Sequence, residues 1–159
     1  MLKLYKRVNL VLQYHEAWVN GAKITEHWGV VGERGTTAEH KRNKKLAEEE
    51  NLEQVLAKPL VDGHAPVELD DHAILIIEFP VKDMGTRQDL NKRHALEERM
   101  NETLGWTGLG HCDGGSIGSG TMEVCCFVVD FAIAKRVIEE DLKQTKFADY
   151  SRIYDEGAE

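Results

Sequence analysis

The sequence predicts an α+β protein made of two small units, residues 1–68 and residues 69–159. Near the beginning, apolar and polar residues alternate along the chain, which is typical of half-buried β-strands. In the second half, two apolar runs, Ala73–Phe79 and Met122–Asp130, have the length of strands, and each is followed by a segment with helical periodicity. Strands and helices that follow one another in this way predict a sheet covered by a layer of helices.

The first unit is predicted to be an antiparallel sheet followed by one helix. Alternation over residues 2–14 predicts one long strand. Asn20-Gly21 is a hairpin signal, and a strand over Ala22–Trp28 is expected after it. The three glycines of Gly29–Gly35 predict a turn or bulge, after which Thr36–His40 returns as a further strand.

One helix is predicted over Lys41–Lys58. Its apolar residues form a partial helical stripe, and Pro59 limits the helix at its C-terminal end. Beyond it, Asp62-Gly63, Pro66 and a pair of aspartates are typical of a linker. We therefore place the boundary between the two units near residue 68.

The second unit is predicted to begin with the strand Ala73–Phe79 and a long helix. Thr86 is a candidate N-cap for this helix, which runs to about Leu104. Arg93 and Glu97 are spaced to form an i,i+4 pair on its surface, which favours an ordinary ion pair over a functional site.

The rest of the second unit is predicted to be strand, helix and edge strand. The glycine-rich segment Gly105–Gly120 is expected to form a hairpin or bulged strand, because a strand follows it. That strand, Met122–Asp130, ends at an N-cap for the last helix, and Tyr150–Tyr154 is a candidate edge strand. This order of elements predicts a two-layer α/β sandwich of the ferredoxin-like type.

Composition and charge limit the classes of function. The chain has 159 residues, 42% of them apolar, and a formal net charge of −8. A negative field favours basic partners and repels nucleic acid, so nucleic-acid binding requires a local basic patch. The first residues do not resemble a signal peptide, no apolar run is long enough to span a bilayer, and the cysteines are odd in number. We therefore expect a cytoplasmic protein without a membrane segment and without a cofactor.

The most specific motif is Trp28–Gly35, which reads Trp-Gly-Val-Val-Gly-Glu-Arg-Gly. It resembles the signature of the WGR domain, a small β-rich module in which Trp-Gly-Arg-Val-Gly-x-x-Gly ends a strand and is followed by a strand and a helix. The resemblance covers about residues 2–66, and the signature arginine is replaced by Val30. In relatives that sense DNA breaks, the signature Trp and Arg help to hold nucleic acid, so the resemblance implies a binding module.

This resemblance makes nucleic-acid binding an alternative function. Trp28 is suited to stack on a sugar or base, and Arg34 lies close to the place of the missing arginine. The best local basic patch consists of Lys41, Arg42, Lys44 and Lys45. The structural alternatives stay open, because a tryptophan beside glycines is often a packing residue and these cations can pair with the glutamates that follow them.

The second unit resembles small ferredoxin-like proteins of bacterial toxin–immunity loci over about residues 72–145. The resemblance is based on its glycines and its strand pattern. Immunity proteins cap toxins, often nucleases with basic clefts, and an acidic chain is suited to that role. The leading hypothesis is therefore a non-catalytic bacterial protein that binds a basic protein, with an immunity-type inhibitor as its concrete form. The candidate partner-binding residues are Trp28, Arg34, Glu48, Glu49, Glu50, Glu139 and Glu140. For the acidic ones, a solvated helix face is the ordinary alternative.

No catalytic or metal site is predicted. The glycine-rich segment lacks the Gly-Lys-Ser/Thr ending of a phosphate loop and precedes a strand. His111, Cys112 and Asp113 are adjacent, and neighbouring strand residues point to opposite faces, so they are poorly placed to share a metal ion. A thiol enzyme that uses Cys112 with His111 as its base is the third hypothesis, with Asp113 or His94 as the group that orients the histidine.

Overall fold

The computed structural model describes residues 1–158 and has a mixed α+β architecture. The described residues form eight strands, four α-helices and two short 3-10 helices at Leu69–Asp71 and Glu156–Ala158. Contacts divide the chain into two units, residues 1–68 and residues 69–159, each with its own four-stranded antiparallel sheet. The predicted α+β class is therefore confirmed.

The sheet of the first unit is a meander in which each strand pairs with the next one along the chain. Its strands are β1 (Leu2–Val8), β2 (Val11–Asn20), β3 (Lys23–Val30) and β4 (Thr36–Lys41). The hairpin predicted at Asn20-Gly21 is present, with Gly21 at φ +62° in the two-residue connection from β2 to β3. The glycine-rich turn between β3 and β4 is also present.

The single strand predicted over residues 2–14 is wrong, because a tight turn divides it. Asn9 and Leu10 both adopt positive φ, +49° and +70°, and connect Val8 to Val11 in a hairpin. Two consecutive residues with positive φ are typical of a type I′ turn, whose twist matches that of the paired strands. As a result, Leu4 and Tyr14 lie on opposite faces of the sheet.

The helix predicted over Lys41–Lys58 is wrong at its start and at its end. Lys41 belongs to β4, residues 42–47 form a loop, and the helices are α1 (Glu48–Val55) and α2 (Ala57–Val61). Pro59 is the third residue of α2 and does not end a helix there, since proline is tolerated in the first turn. Helix α1 lies on one face of the sheet, over a core of Leu4, Ala17, Ile24, Leu52 and Leu56.

The second unit has the element order strand, helix, strand, strand, helix, strand. These elements are β5 (Ala73–Pro80), α3 (Arg87–Trp106), β6 (Gly110–Gly118), β7 (Thr121–Val128), α4 (Phe131–Leu142) and β8 (Arg152–Asp155). The sheet has the order β6-β7-β5-β8 with all neighbours antiparallel. Helix α3 packs on β6 and β7, α4 packs on β5, and the helices contact each other, so they form one layer.

Local signals locate most elements of the second unit correctly. Thr86 caps α3 by accepting a hydrogen bond from the Asp89 N–H, and Asp130 caps α4 through the Ile133 N–H. The glycine-rich segment forms a strand with a bulge between Cys112 and Gly115, as predicted. The predicted edge strand is β8, which pairs with β5.

Candidate partner-binding surfaces

An acidic groove lies beside the N-terminal turn of α1. It is lined by Met1, Leu2, Glu48, Glu49, Leu52 and Glu53 and has a volume of about 390 Å³. Its three glutamates are exposed, whereas Leu52 is only 3% exposed and forms part of the floor. The groove therefore combines exposed carboxylates with apolar side chains that range from the buried Leu52 to the exposed Met1.

The glutamates at the start of α1 do not all have the same role. Glu48, Glu49 and Glu50 occupy the first turn, where negative charge interacts favourably with the helix dipole. The Glu50 carboxylate accepts a hydrogen bond from the backbone N–H of Ala47 at 3.2 Å, so it caps the helix and does not line the groove. Glu48 and Glu49 remain at the rim, together with Glu53 one turn later.

The second acidic candidate, around Glu139 and Glu140, includes ion pairs within its own unit. The Glu140 carboxylate lies 2.5 Å from the Lys143 ammonium, and this hydrogen bond raises the pKa of Lys143. The neighbouring Asp141 accepts from Arg99 Nε at 2.8 Å and from the Thr103 hydroxyl at 3.1 Å, which ties α4 to α3. Glu139 is half-buried. The two acidic surfaces predicted from the sequence are thus different in kind.

Trp28 lies on the face of the first sheet that also carries α1. It is half-buried, and its ring stacks on the His15 ring with centroids 5.5 Å apart and planes 28° apart. The two residues face each other directly across β2 and β3. Trp28 is therefore neither a fully buried core residue nor a fully exposed aromatic, and it shares its surface with a cluster of histidines.

That cluster is centred on one carboxylate. Glu26 Oε1 lies 2.5 Å from His15 Nε2, and Glu26 Oε2 lies 2.5 Å from His40 Nε2. The ring of His64 stands nearly perpendicular to the ring of His15, with centroids 6.0 Å apart. These histidines were not among the residues predicted from the sequence, although the alternation along each strand sets the faces of His15, Glu26 and His40.

The glycines of the Trp-Gly motif have a clear packing role. A Cβ at Gly35 would lie 2.2 Å from the Trp28 carbonyl oxygen and 2.4 Å from the Tyr14 hydroxyl. A Cβ at Gly29 would lie 2.9 Å from the Gly35 Cα. The two glycines therefore allow the loop after β3 to fold back tightly over Tyr14.

Beneath this loop lies a buried polar chain on the opposite face of the sheet. The Tyr14 hydroxyl donates to the Glu33 carbonyl at 2.8 Å and lies 3.1 Å from His27 Nε2. His27 Nδ1 lies 2.7 Å from Glu16 Oε1, and burial raises the pKa of Tyr14. The same Nε2 of His27 lies 2.5 Å from the Arg34 carbonyl, so the backbone of the motif is anchored while the Arg34 residue is exposed.

The basic patch is carried by the end of β4 and the loop that follows it, and not by a helix. Lys41, Lys44 and Lys45 are exposed and Arg42 is half-buried. The buried amide of Asn51, 3% exposed, holds this loop. Its Nδ2 donates to the carbonyl oxygens of Asn43, Leu46 and Ala47, and its Oδ1 accepts from the Asn43 N–H at 2.9 Å.

His111 and Cys112 of the proposed thiol site are not brought together. Cys112 pairs with Cys126 across β6 and β7, whereas the next-door His111 pairs with Phe127 and lies against its ring at 5.7 Å. Because successive strand residues point to opposite faces, His111 is directed away from the Cys112 thiol. Within residues 1–158, no group of three or more His, Cys, Asp or Glu side chains is arranged to hold a metal ion.

Comparison with known proteins found no match to this chain among family models, curated proteins or solved structures. The two family resemblances therefore depend on the residues that carry them. Over residues 1–158, no helix has both the length and the apolar character needed to cross a membrane.

Proposed function

We propose that this chain is a non-catalytic binding protein that contacts a cationic surface of another protein through the acidic groove. The observation that supports this most directly is the arrangement of Glu48, Glu49 and Glu53 around an apolar floor. A lysine or arginine of the partner can place its charged end among these carboxylates while its methylene stem lies against Met1 and Leu2.

The charge of the whole chain favours the same kind of partner. A net charge of −8 speeds the encounter with a basic protein and orients it, because opposite potentials steer association. An inhibitor that caps a basic protein toxin, as immunity proteins do, is the concrete form that we propose. In this function the Trp28 surface is a second contact of the same unit.

We also propose family relationships for the two units. For the first unit, a WGR-like relationship is supported by the meander that ends β3 at the Trp-Gly motif and is followed by β4 and α1. For the second unit, a ferredoxin-like relationship is supported by the strand order β6-β7-β5-β8 with both helices in one layer. Val30, in place of the signature arginine, favours protein over nucleic acid as the partner.

The proposal is tested by selecting random-sequence peptides from a display library on the immobilised full-length chain. We expect the selected peptides to be rich in lysine or arginine next to apolar residues. The double variant Glu49→Gln/Glu53→Gln should weaken their binding about tenfold, because two rim carboxylates are lost.

A matched control removes the same charge elsewhere. Glu139→Gln/Glu140→Gln changes the net charge equally but leaves the acidic groove intact, so binding should change less than about twofold. Circular dichroism of each variant confirms that the fold is kept. An equal loss of peptide affinity in both double variants would refute the groove as the contact surface. Selected peptides without basic residues would refute it as well.

Nucleic-acid binding by the first unit is the second candidate function. Two observations favour it: Trp28 is partly exposed among histidines, and Asn51 holds the loop that carries Arg42, Lys44 and Lys45 in one conformation. Binding to a nicked or blunt-ended DNA duplex should then fall steeply with added salt and weaken in Trp28→Ala. DNA binding that responds neither to added salt nor to Trp28→Ala would exclude this function.

A further inference from the structure

Two cysteines of the second unit face each other directly across neighbouring strands. Cys112 lies in β6, an edge strand, and its partner in the register is Cys126 of β7. The backbone N–H of Cys112 donates to Asn101 Oδ1 of α3 at 2.9 Å, so it does not bond to β7. The two cysteines therefore form a non-hydrogen-bonded pair, in which opposite Cα atoms lie about 4.5 Å apart, within the range of disulfide-bonded cysteines.

The thiols of this pair already interact. The hydrogen bond from the Cys126 thiol lowers the pKa of Cys112 against the opposing effect of burial, and the same bond, together with burial, raises the pKa of Cys126. Cys112 is half-buried, whereas Cys126 is fully buried. The pair thus consists of a half-buried cysteine that more readily becomes a thiolate and a fully buried cysteine opposite it.

The strand that carries Cys112 can adjust to a covalent bond. The register between β6 and β7 shifts immediately after Cys112, at the bulge that ends at Gly115. Gly114 in this bulge has φ +90°, and a Cβ placed there would meet nothing within 4 Å. Since a bulge is a local irregularity at the sheet edge, a small change in the Cys112 backbone does not disturb the rest of the ladder.

We propose that Cys112 and Cys126 form a reversible cross-strand disulfide when the chain reacts with a hydroperoxide. The Cys112 thiolate attacks the peroxide O–O bond, which breaks to give a sulfenic acid on Cys112 and, from hydrogen peroxide, a hydroxide that takes up a proton to form water. The Cys126 sulfur then attacks the sulfenic sulfur. The S–S bond forms, the S–O bond breaks, and the hydroxyl group leaves as water with the Cys126 proton.

The third cysteine provides an internal contrast. Cys125 is next to Cys126 in β7 and therefore points to the opposite face of the sheet. Burial raises its pKa, and the nearby Glu156 carboxylate adds to this effect. Because it does not face Cys112, Cys125 should stay a thiol while the other two react.

The experiment is a disulfide map of the full-length chain after treatment with hydrogen peroxide. Remaining thiols are alkylated, and the chain is cleaved at glutamates, since Glu123 separates Cys112 from the two cysteines of β7. We expect a linked peptide within one chain, one remaining thiol, and full reversal by a reductant. The Cys125→Ser variant should give the same link, which assigns the bond to Cys126 and not to its neighbour.

A second variant identifies the order of reaction. Cys126→Ala should lose the intrachain link and accumulate a sulfenic acid on Cys112 that dimedone traps. If this variant does not fold, the map of the wild type and of Cys125→Ser still decides the question. The proposal is wrong if all three thiols survive, if the link disappears in Cys125→Ser, or if the bonds form only between chains.

Discussion

At the scale of single residues, the Trp-Gly motif is explained by close packing of its glycines. We expect Gly35→Ala to lower the free energy of unfolding by about 3 kcal/mol or more, because a methyl group there meets the Trp28 carbonyl and the Tyr14 hydroxyl, and φ is +67°. Gly21→Ala is the matched control, since Gly21 has φ +62° and open space around it. It should lose only about 1 kcal/mol. Urea unfolding of both variants measures the difference, and equal losses would mean that the contacts of Gly35 are unimportant.

His64 gives the stability of the chain a pH dependence with a definite sign. Burial lowers its pKa, and the nearby His15 adds to this; Lys6 acts in the same direction, whereas the Pro59 carbonyl and Asp62 oppose it. Its Nδ1 is buried and has no hydrogen-bond partner among the described residues. A histidine with a lowered pKa in the fold favours the neutral form, so its contribution is complete above the unfolded value of about 6.5 and is lost as the pH falls through the folded value.

We therefore expect the stability difference between wild type and His64→Gln to depend on pH. The difference should be constant above about pH 7.5 and should shift in favour of the variant as the pH falls to about 5. Urea unfolding of both proteins at a series of pH values measures it. A difference that does not change with pH would show that His64 titrates alike in the folded and unfolded chain.

At the scale of elements, the basic loop depends on one buried amide. Asn51→Ala removes the side chain that bonds Asn43, Leu46 and Ala47, so the loop should open more often. We expect trypsin to cleave after Lys44 or Lys45 about tenfold faster than in the wild type, because each lost hydrogen bond costs about 1 kcal/mol. Gln54→Ala, an exposed position of the same helix, should leave the cleavage rate unchanged. Equal rates in Asn51→Ala and the wild type would show that the amide does not hold the loop.

The same loop shows why sequence patterns mislocated the first helix. Cations followed by glutamates from Lys41 onwards read as one helical segment with i,i+4 pairs. The start of α1 at Glu48 depends on Asn51, whose side-chain amide forms hydrogen bonds with backbone groups up to eight residues earlier in the chain. Such a contact cannot be predicted from the sequence before the conformation of the loop is known.

The first hairpin was missed for a different reason. The even positions from Leu2 to Tyr14 are mostly apolar throughout, so the alternation continues across the turn without a break. Because the connection has two residues, Tyr5 pairs with Tyr14, and even residues of β2 lie on the face of odd residues of β1. A leucine at φ +70° gives no turn signal, although Asn9 before it does.

In the second unit the local signals were sufficient. Caps at Thr86 and Asp130 begin the two helices, and glycines mark the bulged strand. The side-chain contacts that bear on function could not be predicted from such local signals. The contact between Arg99 and Asp141, 42 residues apart, depends on how α3 and α4 pack, and the facing of Cys112 and Cys126 depends on the register of two strands.

At the scale of the whole molecule, the excess of 28 acidic over 20 basic residues acts on association more than on the fold. If the proposed function is correct, the association rate with a basic peptide should fall about tenfold or more between low salt and about 0.5 M salt, because the Debye length shrinks to a few ångströms. The dissociation rate should change much less, since it depends on close contacts in the groove. Stopped-flow kinetics at a series of salt concentrations measures both rates.

The two glutamine double variants separate the field of the whole chain from the contacts of the groove. Both reduce the negative net charge from −8 to −6, so both should lower the association rate slightly and by similar amounts at low salt. Only Glu49→Gln/Glu53→Gln should raise the dissociation rate, and this increase should persist at high salt because the lost contacts are short-range. If dissociation were faster in Glu139→Gln/Glu140→Gln, the contact surface would lie on α4, where Arg99 and Lys143 already engage Asp141 and Glu140.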